Sequence, residues 1–198
     1  MWPTGCGAVS DVTPAHAGLA PSPWVRRWAA LLPPHANVLD VACGTGRHVR
    51  WLASLGHRVT GIDRDAAALE PLRALGETIV ADIEAGAWPL PDRQFDAVVV
   101  TNYLWRARLP DIVASVAPGG LLIYETFAVG NESVGKPSNP DFLLRPGELL
   151  SVVQESAAGD WRVLGFEDGF LDAPPRFVQR IAAVREHPST TTPARYPL

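Results

Sequence analysis

Asp40, Gly44, Gly46, Asp63 and Asp82 are spaced as the parts of a ligand site. Asp40 lies just before the turn Cys43-Gly-Thr-Gly46, where it repels a pyrophosphate unless it is neutralised but pairs well with an ammonium group. Asp63 ends the next apolar run, 19 residues after Gly44, which is about the spacing of an acid that accepts from ribose hydroxyls. Asp82, followed by Ile83, is placed to accept from a purine amino group while the apolar neighbour packs on the ring. An amino-acid-bearing adenosine has all three features. A nucleotide-hydrolysing loop needs a lysine after Gly46, and the only lysine in the chain is Lys136. The dinucleotide pattern needs a third glycine where Val49 stands.

A second set of candidates could serve an acceptor molecule. Asn102 and Tyr103 follow the apolar run Phe95–Val100, Glu125 sits near the end of the run Leu121–Phe127, and Arg145 precedes Pro146. Asn102 can bind a polar group, Tyr103 can wall the pocket, Glu125 can act as a base or hold a cation, and Arg145 can clamp a carboxylate. Trp105 and Arg106 are placed to close the pocket, with the guanidinium anchoring an anion. Each residue also has a plain structural reading: strand-end turn, core, salt bridge or solvated surface. His16, His35, His57 and His187 have no metal-binding spacing, and Cys6 and Cys43 suggest neither a disulfide nor a metal pair, so no metal is expected.

The elements that must carry these residues alternate. Asn37–Val41 reads as a strand, Arg47–Leu55 as a helix ended by Gly56, and Val59–Ile62 as a second strand, which completes one βαβ unit. A helix over 65–74 that Pro71 can shorten, a strand over 78–81 and a long loop over 82–94 follow. Phe95–Val100 is the near-continuous apolar run of a strand covered on both faces. A helix over 109–117 stops at Pro118-Gly-Gly120, and 121–127 is a fifth strand. After a helix opened by Pro146-Gly147-Glu148, residues 161–170 and 177–185 close the chain as an antiparallel edge pair. Ahead of all this, Ser22 caps a helix with Pro23 at its first position. Doubly wound α/β is the common architecture that accepts this order.

With 198 residues, 47% of them hydrophobic, and a net charge of −4, the chain can build one core without disulfides. The organisation expected is a flexible leader over 1–21, one domain over 22–186 with a lid-like loop over 128–145, and a flexible tail over 187–198. The slightly acidic balance offers no basic stripe for nucleic acid, and no apolar run is long enough for a membrane span. A cytoplasmic monomer or homodimer acting on a small molecule fits these numbers.

Asp40-Val-Ala-Cys-Gly-Thr-Gly46, Asp63, Ala81-Asp82-Ile83, Phe95–Val100 and Pro118-Gly-Gly-Leu-Leu-Ile-Tyr124 together resemble the class I S-adenosylmethionine-dependent methyltransferases. Asn102–Arg106, Tyr124–Ala128 and Gly135–Gly147 are similar to a small bacterial branch labelled tellurite-resistance-like. The resemblance implies a Rossmann-like three-layer sandwich whose seven-stranded, mostly parallel sheet ends in an antiparallel strand. It implies S-adenosylmethionine as cofactor, held by Asp40, Ala42, Gly44, Gly46, His48, Asp63, Arg64, Asp82, Ile83 and Asn102. Ala42 departs from the commoner glycine of the family. The activity implied is methyl transfer to a small thiol, chalcogen, oxygen or nitrogen nucleophile; the alternatives are methylation of RNA or protein, or a regulatory protein that binds the cofactor without chemistry. Asp63→Ala is expected to weaken cofactor binding by about 1–3 kcal/mol with little change in stability.

Overall fold

The fold follows from strands that feed one sheet and helices that cover both of its faces. The computed structural model describes residues 20–187 and residue 196, so most of the expected leader and tail, with Cys6 and His16, lies outside the described residues. Helix α1 (Pro23–Ala29) starts where Ser22 Oγ accepts from the Trp24 amide at 3.1 Å, and Pro23 loses nothing at a position whose N–H has no helical partner. Its Trp24 and Trp28 meet edge to face at 5.5 Å and pack down on the sheet.

Strands β1 (Asn37–Val41), β2 (Arg58–Asp63), β3 (Glu77–Val80), β4 (Phe95–Thr101) and β5 (Val116–Phe127) are parallel. Strands β6 (Trp161–Asp172) and β7 (Pro175–Arg185) form the expected antiparallel pair, with β7 inserted against β5. The spatial order is β3-β2-β1-β4-β5-β7-β6, so direction along the sheet reverses between β1 and β4. A crevice opens at such a reversal, beyond the carboxyl ends of the strands.

Alternation along each strand divides the core. Ala97 and Val99 face α1 and α2 (Arg47–Ser54), while Val98 and Val100 face α4 (Leu109–Ala114) and α5 (Glu148–Gln154). Helix, sheet and helix make the three layers.

Two expected boundaries move. The helix over 65–74 becomes α3 (Ala66–Leu69) followed by a 3-10 turn over Glu70–Leu72, because Pro71 supplies no amide to continue the ladder. The break at Pro118-Gly-Gly120 lies inside β5: the ladder jumps from the pair Phe95 and Val116 to the pair Ala97 and Leu121. Gly120 is needed there, since a Cβ would press on the Ala117 and Phe95 carbonyl oxygens at 2.8 and 2.9 Å.

The long segment after β5 is pinned at several points. Arg106 donates to Glu148 at 2.7 and 2.9 Å and to the carbonyls of Asp141 and Leu143 at 2.7 and 2.8 Å. Buried Asn131 donates to the Pro137 carbonyl and accepts from the Phe177 amide. Leu143 and Leu144 are buried beneath it. Among the described residues no helix is long and apolar enough to cross a membrane.

Candidate functional site

The turn after β1 is held in shape by the strand beside it. The Gly44 amide donates to Asp63 Oδ2 at 2.7 Å, and the Asp65 amide donates to Asp63 Oδ1 at 2.9 Å, so one carboxylate fixes the ends of two loops. Gly44 and Gly46 have φ of +54° and +77°. A Cβ on Gly46 would collide with Leu72, whereas one on Gly44 would meet nothing within 4 Å. Only the first glycine therefore leaves an open face on which a ligand can lie. Ala42 and Asn102, the residues that follow β1 and β4, also have positive φ, at +52° and +55°. Non-glycine residues in this region carry strain, and here both flank the switch point.

Asp40 lies below the turn and is 1% exposed. Its Oδ2 is buried with no hydrogen-bond partner among the described residues. Burial, with the nearby Asp63 charge, pushes its carboxyl up to about 7, although Arg47 and the Val49 amide pull the other way. His48 Nδ1 stands 4.0 Å from the orphaned oxygen. Burial and Arg47 push the imidazole down to about 3, so it is neutral. An orphaned acidic oxygen of this kind fits a ligand that brings an ammonium group.

Beyond β2 and β3 lies a pocket of about 130 Å³. Of the expected cofactor set, Ala42, Asp63, Arg64, Asp82 and Ile83 line it. Tyr103, expected on the acceptor side, joins them, together with Ile62, Ala81 and Glu84, which sequence reasoning missed. Asp82 Oδ1 accepts from the Glu84 and Ala85 amides, which shapes the loop. The Tyr103 hydroxyl is buried without a partner among the described residues, and burial next to Glu84 and Asp82 keeps it protonated. A polar ligand atom would satisfy it.

At the other end, a polar row crosses the sheet in register. Thr101 on β4 pairs with Glu125 on β5, Glu125 with Arg180 on β7, and Arg180 with Glu167 on β6. Glu125 is 1% exposed; its Oε1 accepts from the Ser22 hydroxyl at 3.0 Å and its Oε2 from Arg180 at 3.1 Å. Arg47 reaches Thr101 Oγ1 at 3.3 Å, and Arg176 Nη2 stands 3.9 Å from Glu125. Three guanidiniums thus converge on one buried carboxylate.

The expected acceptor residues divide. Glu125 is at the site, but both of its oxygens are engaged, so it organises arginines and does not lie open as a base. Asn102 is exposed and gives its amide to the Glu125 carbonyl at 2.9 Å. Arg145 has an exposed side chain beside Glu148 and is not brought to the pocket. Arg106 is placed differently from the expectation: four of its five N–H groups go to Glu148 and to the carbonyls of Asp141 and Leu143, so its guanidinium braces the loop. Arg47, Arg176, Arg180 and Ser22 were missed. On β7, Arg176 and Arg180 share the face of Ala182 and Val184, and two charges continuing an apolar face were the available signal. No group of metal-binding side chains occurs among the described residues.

Residues 38–120 match a family model described as a methyltransferase domain. A curated relative, the malonyl-[acyl-carrier protein] O-methyltransferase of Serratia marcescens, is 32% identical over 106 residues, 50% of this chain and 41% of that protein. The chain therefore spans less than half of that relative. The crystal structure of TehB from Haemophilus influenzae superposes with a TM-score of 0.67 at 24% identity, covering 87% of this chain and 64% of that one. A TehB-like methyltransferase from Corynebacterium glutamicum superposes at 0.59 and 18% identity, covering 82% of this chain and 87% of that one.

Proposed function

We infer that this chain, whose fold is that of the class I S-adenosylmethionine-dependent methyltransferases, transfers a methyl group from S-adenosylmethionine to a small anionic acceptor. The observation that carries the reading is the buried, partnerless Oδ2 of Asp40 directly beneath the glycine turn, since it asks for a cation where a phosphate-binding loop would ask for an anion. When bound, the cofactor supplies an activated methyl on a sulfonium sulfur.

The chain's own residues bind and orient. Asp40 accepts from the amino group, and the open face of Gly44 lets the ligand lie against the backbone. Asp63 gives one lone pair on each oxygen to the loops and keeps the others for ribose hydroxyls. Ile83 and Tyr103 enclose the base. Arg176 holds the acceptor's negative group, Arg180 keeps Glu125 in place beside it, and Arg47 adds its charge from α2. The remaining work is to keep the attacking atom near about 3–3.5 Å from the methyl and in line with the leaving sulfur. With Glu125 occupied, the acceptor must arrive already nucleophilic, as a thiolate or reduced chalcogen does.

The test is a panel of thiols, reduced chalcogen oxyanions, phenols, amines and carboxylates, read out as release of S-adenosylhomocysteine. Turnover confined to members that carry a second negative group is expected. Turnover only with neutral acceptors would overturn the anionic assignment, and absence of S-adenosylhomocysteine binding would overturn the reading entirely.

A further inference from the structure

Ser22 touches both ends of the site. Its amide donates to His48 Nε2 at 3.1 Å, and its hydroxyl donates to Glu125 Oε1 at 3.0 Å. A ring nitrogen that accepts a hydrogen bond carries no proton, so the proton of this neutral imidazole is on Nδ1. That N–H faces Asp40 Oδ2 across 4.0 Å, too far for a direct hydrogen bond.

We propose that Ser22 and His48 are positioning residues that deny Asp40 a counter-charge, so that the buried carboxyl is protonated in the ligand-free chain, and that capture of an ammonium-bearing ligand expels this proton. The inference rests on the functional reading above for the nature of the ligand, while its ligand-free half rests on the burial of Asp40, its unpartnered Oδ2 and the Ser22–His48 contact. A neutral imidazole offers Asp40 a dipole where an imidazolium would offer a full counter-charge. The remaining groups facing Asp40 oppose one another. Arg47 and the Val49 amide on α2 favour the carboxylate, and Asp63 at the end of β2 disfavours it. Cys43 in the turn remains a thiol, pushed up by burial and by Asp40 itself. Glu125 acts on this balance through Arg47. Burial then decides, and the carboxyl sits up at about 7. An ammonium placed against Oδ2 supplies the charge that the imidazole lacks, the O–H bond breaks, and the proton passes to solvent.

Calorimetry of S-adenosylhomocysteine binding to the full chain, in buffers of different ionisation enthalpy, counts that proton. The expected release is about 0.9 proton at pH 6 and about 0.1 at pH 8, with affinity weakening about tenfold per unit below pH 7. Asp40→Asn should release none. Binding with the same enthalpy in every buffer would overturn the coupling while leaving the methyltransferase reading intact. If the ligand does not bind at all, the functional reading fails, and two ligand-free measurements still decide the rest. The carboxyl carbon of Asp40 should titrate near pH 7, and the His48 ring should give the Nδ1–H nitrogen spectrum. Ser22→Ala keeps the amide donor and should keep that spectrum, whereas Ser22→Pro removes the donor and should lose it. A carboxyl that titrates near pH 4, or an Nε2–H spectrum in the unmodified chain, would overturn the relay.

Discussion

Replacing Asp63 with alanine tests whether one side chain both braces the site and binds ligand. The structure gives the carboxylate two backbone partners, Gly44 at 2.7 Å and Asp65 at 2.9 Å, so the substitution leaves two amides without acceptors. Charge-assisted bonds of this kind contribute about 1.5–3 kcal/mol each, and partial exposure lets water recover some of that, giving an expected loss of about 2–4 kcal/mol. For a chain of this size, the melting temperature should fall by about 5–15 °C. The sequence alone led to the expectation of little change in stability, because the spacing from Gly44 shows a ribose acid but not its bond back to the turn. Affinity for S-adenosylhomocysteine, measured by calorimetry below the melting transition, should fall roughly ten- to a hundredfold. Asp63→Asn should melt nearly as early, since its amide group sets a donor against one of the two N–H donors. A melting temperature within a degree of the unmodified chain would refute the brace, and unchanged affinity in the folded variant would remove Asp63 from the ligand site.

Gly46→Ala should cost about 2–4 kcal/mol in denaturant unfolding, because it adds a Cβ at φ +77° into the Leu72 side chain. Arg106→Ala should open the segment between Ala128 and Gly147 to limited proteolysis and lower stability by about 2–3 kcal/mol, as it removes both the Glu148 pair and two carbonyl caps. Asp40 and His48 give opposed pH dependences. The Asp40 carboxyl, raised from 3.8 to about 7, stabilises the fold below pH 3.8 and loses that contribution as pH rises to about 7. The His48 imidazole, lowered from 6.5 to about 3, contributes fully above pH 6.5 and loses this as pH falls to about 3. Between about pH 4 and 6.5 the two slopes, each about 1.4 kcal/mol per unit, nearly cancel. Relative to the unmodified chain, stability of Asp40→Asn should therefore rise with pH in that window and stability of His48→Asn should fall, as read by urea titrations at fixed pH values; parallel curves would show that neither group is perturbed.

The strand-turn-helix around Asp40 was legible because each residue there answers a local demand: glycines for positive φ, an apolar run for a covered strand, an acid at the end of the next strand. The doubly wound class and the closing antiparallel pair followed from the alternation of elements, whereas the spatial order of the strands did not, because it is set by which edges pair across the sheet. What lay hidden was tertiary. Arg106 looked available as an anion anchor, and only its approach to Glu148, 42 residues away, shows it spent on the loop. The Glu125 partners, Ser22 and Arg180, come from 103 residues before it and 55 after. The bulge that carries β5 through Pro118-Gly-Gly120 was invisible because a Gly-Gly pair reads locally as a turn; it becomes strand only when β4 offers a ladder to join.

The arginines at the acceptor end are not equivalent, and their difference supplies a test of what Glu125 is for. Arg180 is fixed by both Glu125 and Glu167 and lies with its guanidinium 4.8 Å from the Trp24 ring centre, so its charge is neutralised before any ligand arrives. Arg176 stands 3.9 Å from Glu125, and its buried Nε has no partner among the described residues. It is the guanidinium able to exchange a weak internal contact for a bidentate one to an incoming anion. Glu125 then acts as a counter-ion that lets converging positive charges pack in the absence of substrate; without it they would repel one another in a poorly solvated place. On this argument Arg176→Gln should raise KM for an anionic acceptor about tenfold or more while changing unfolding stability by less than about 1 kcal/mol. Arg180→Gln should do the reverse in emphasis, costing about 2–4 kcal/mol of stability by stranding the Glu125 carboxylate. Equal losses of stability in the two variants would mean that the row is structural throughout.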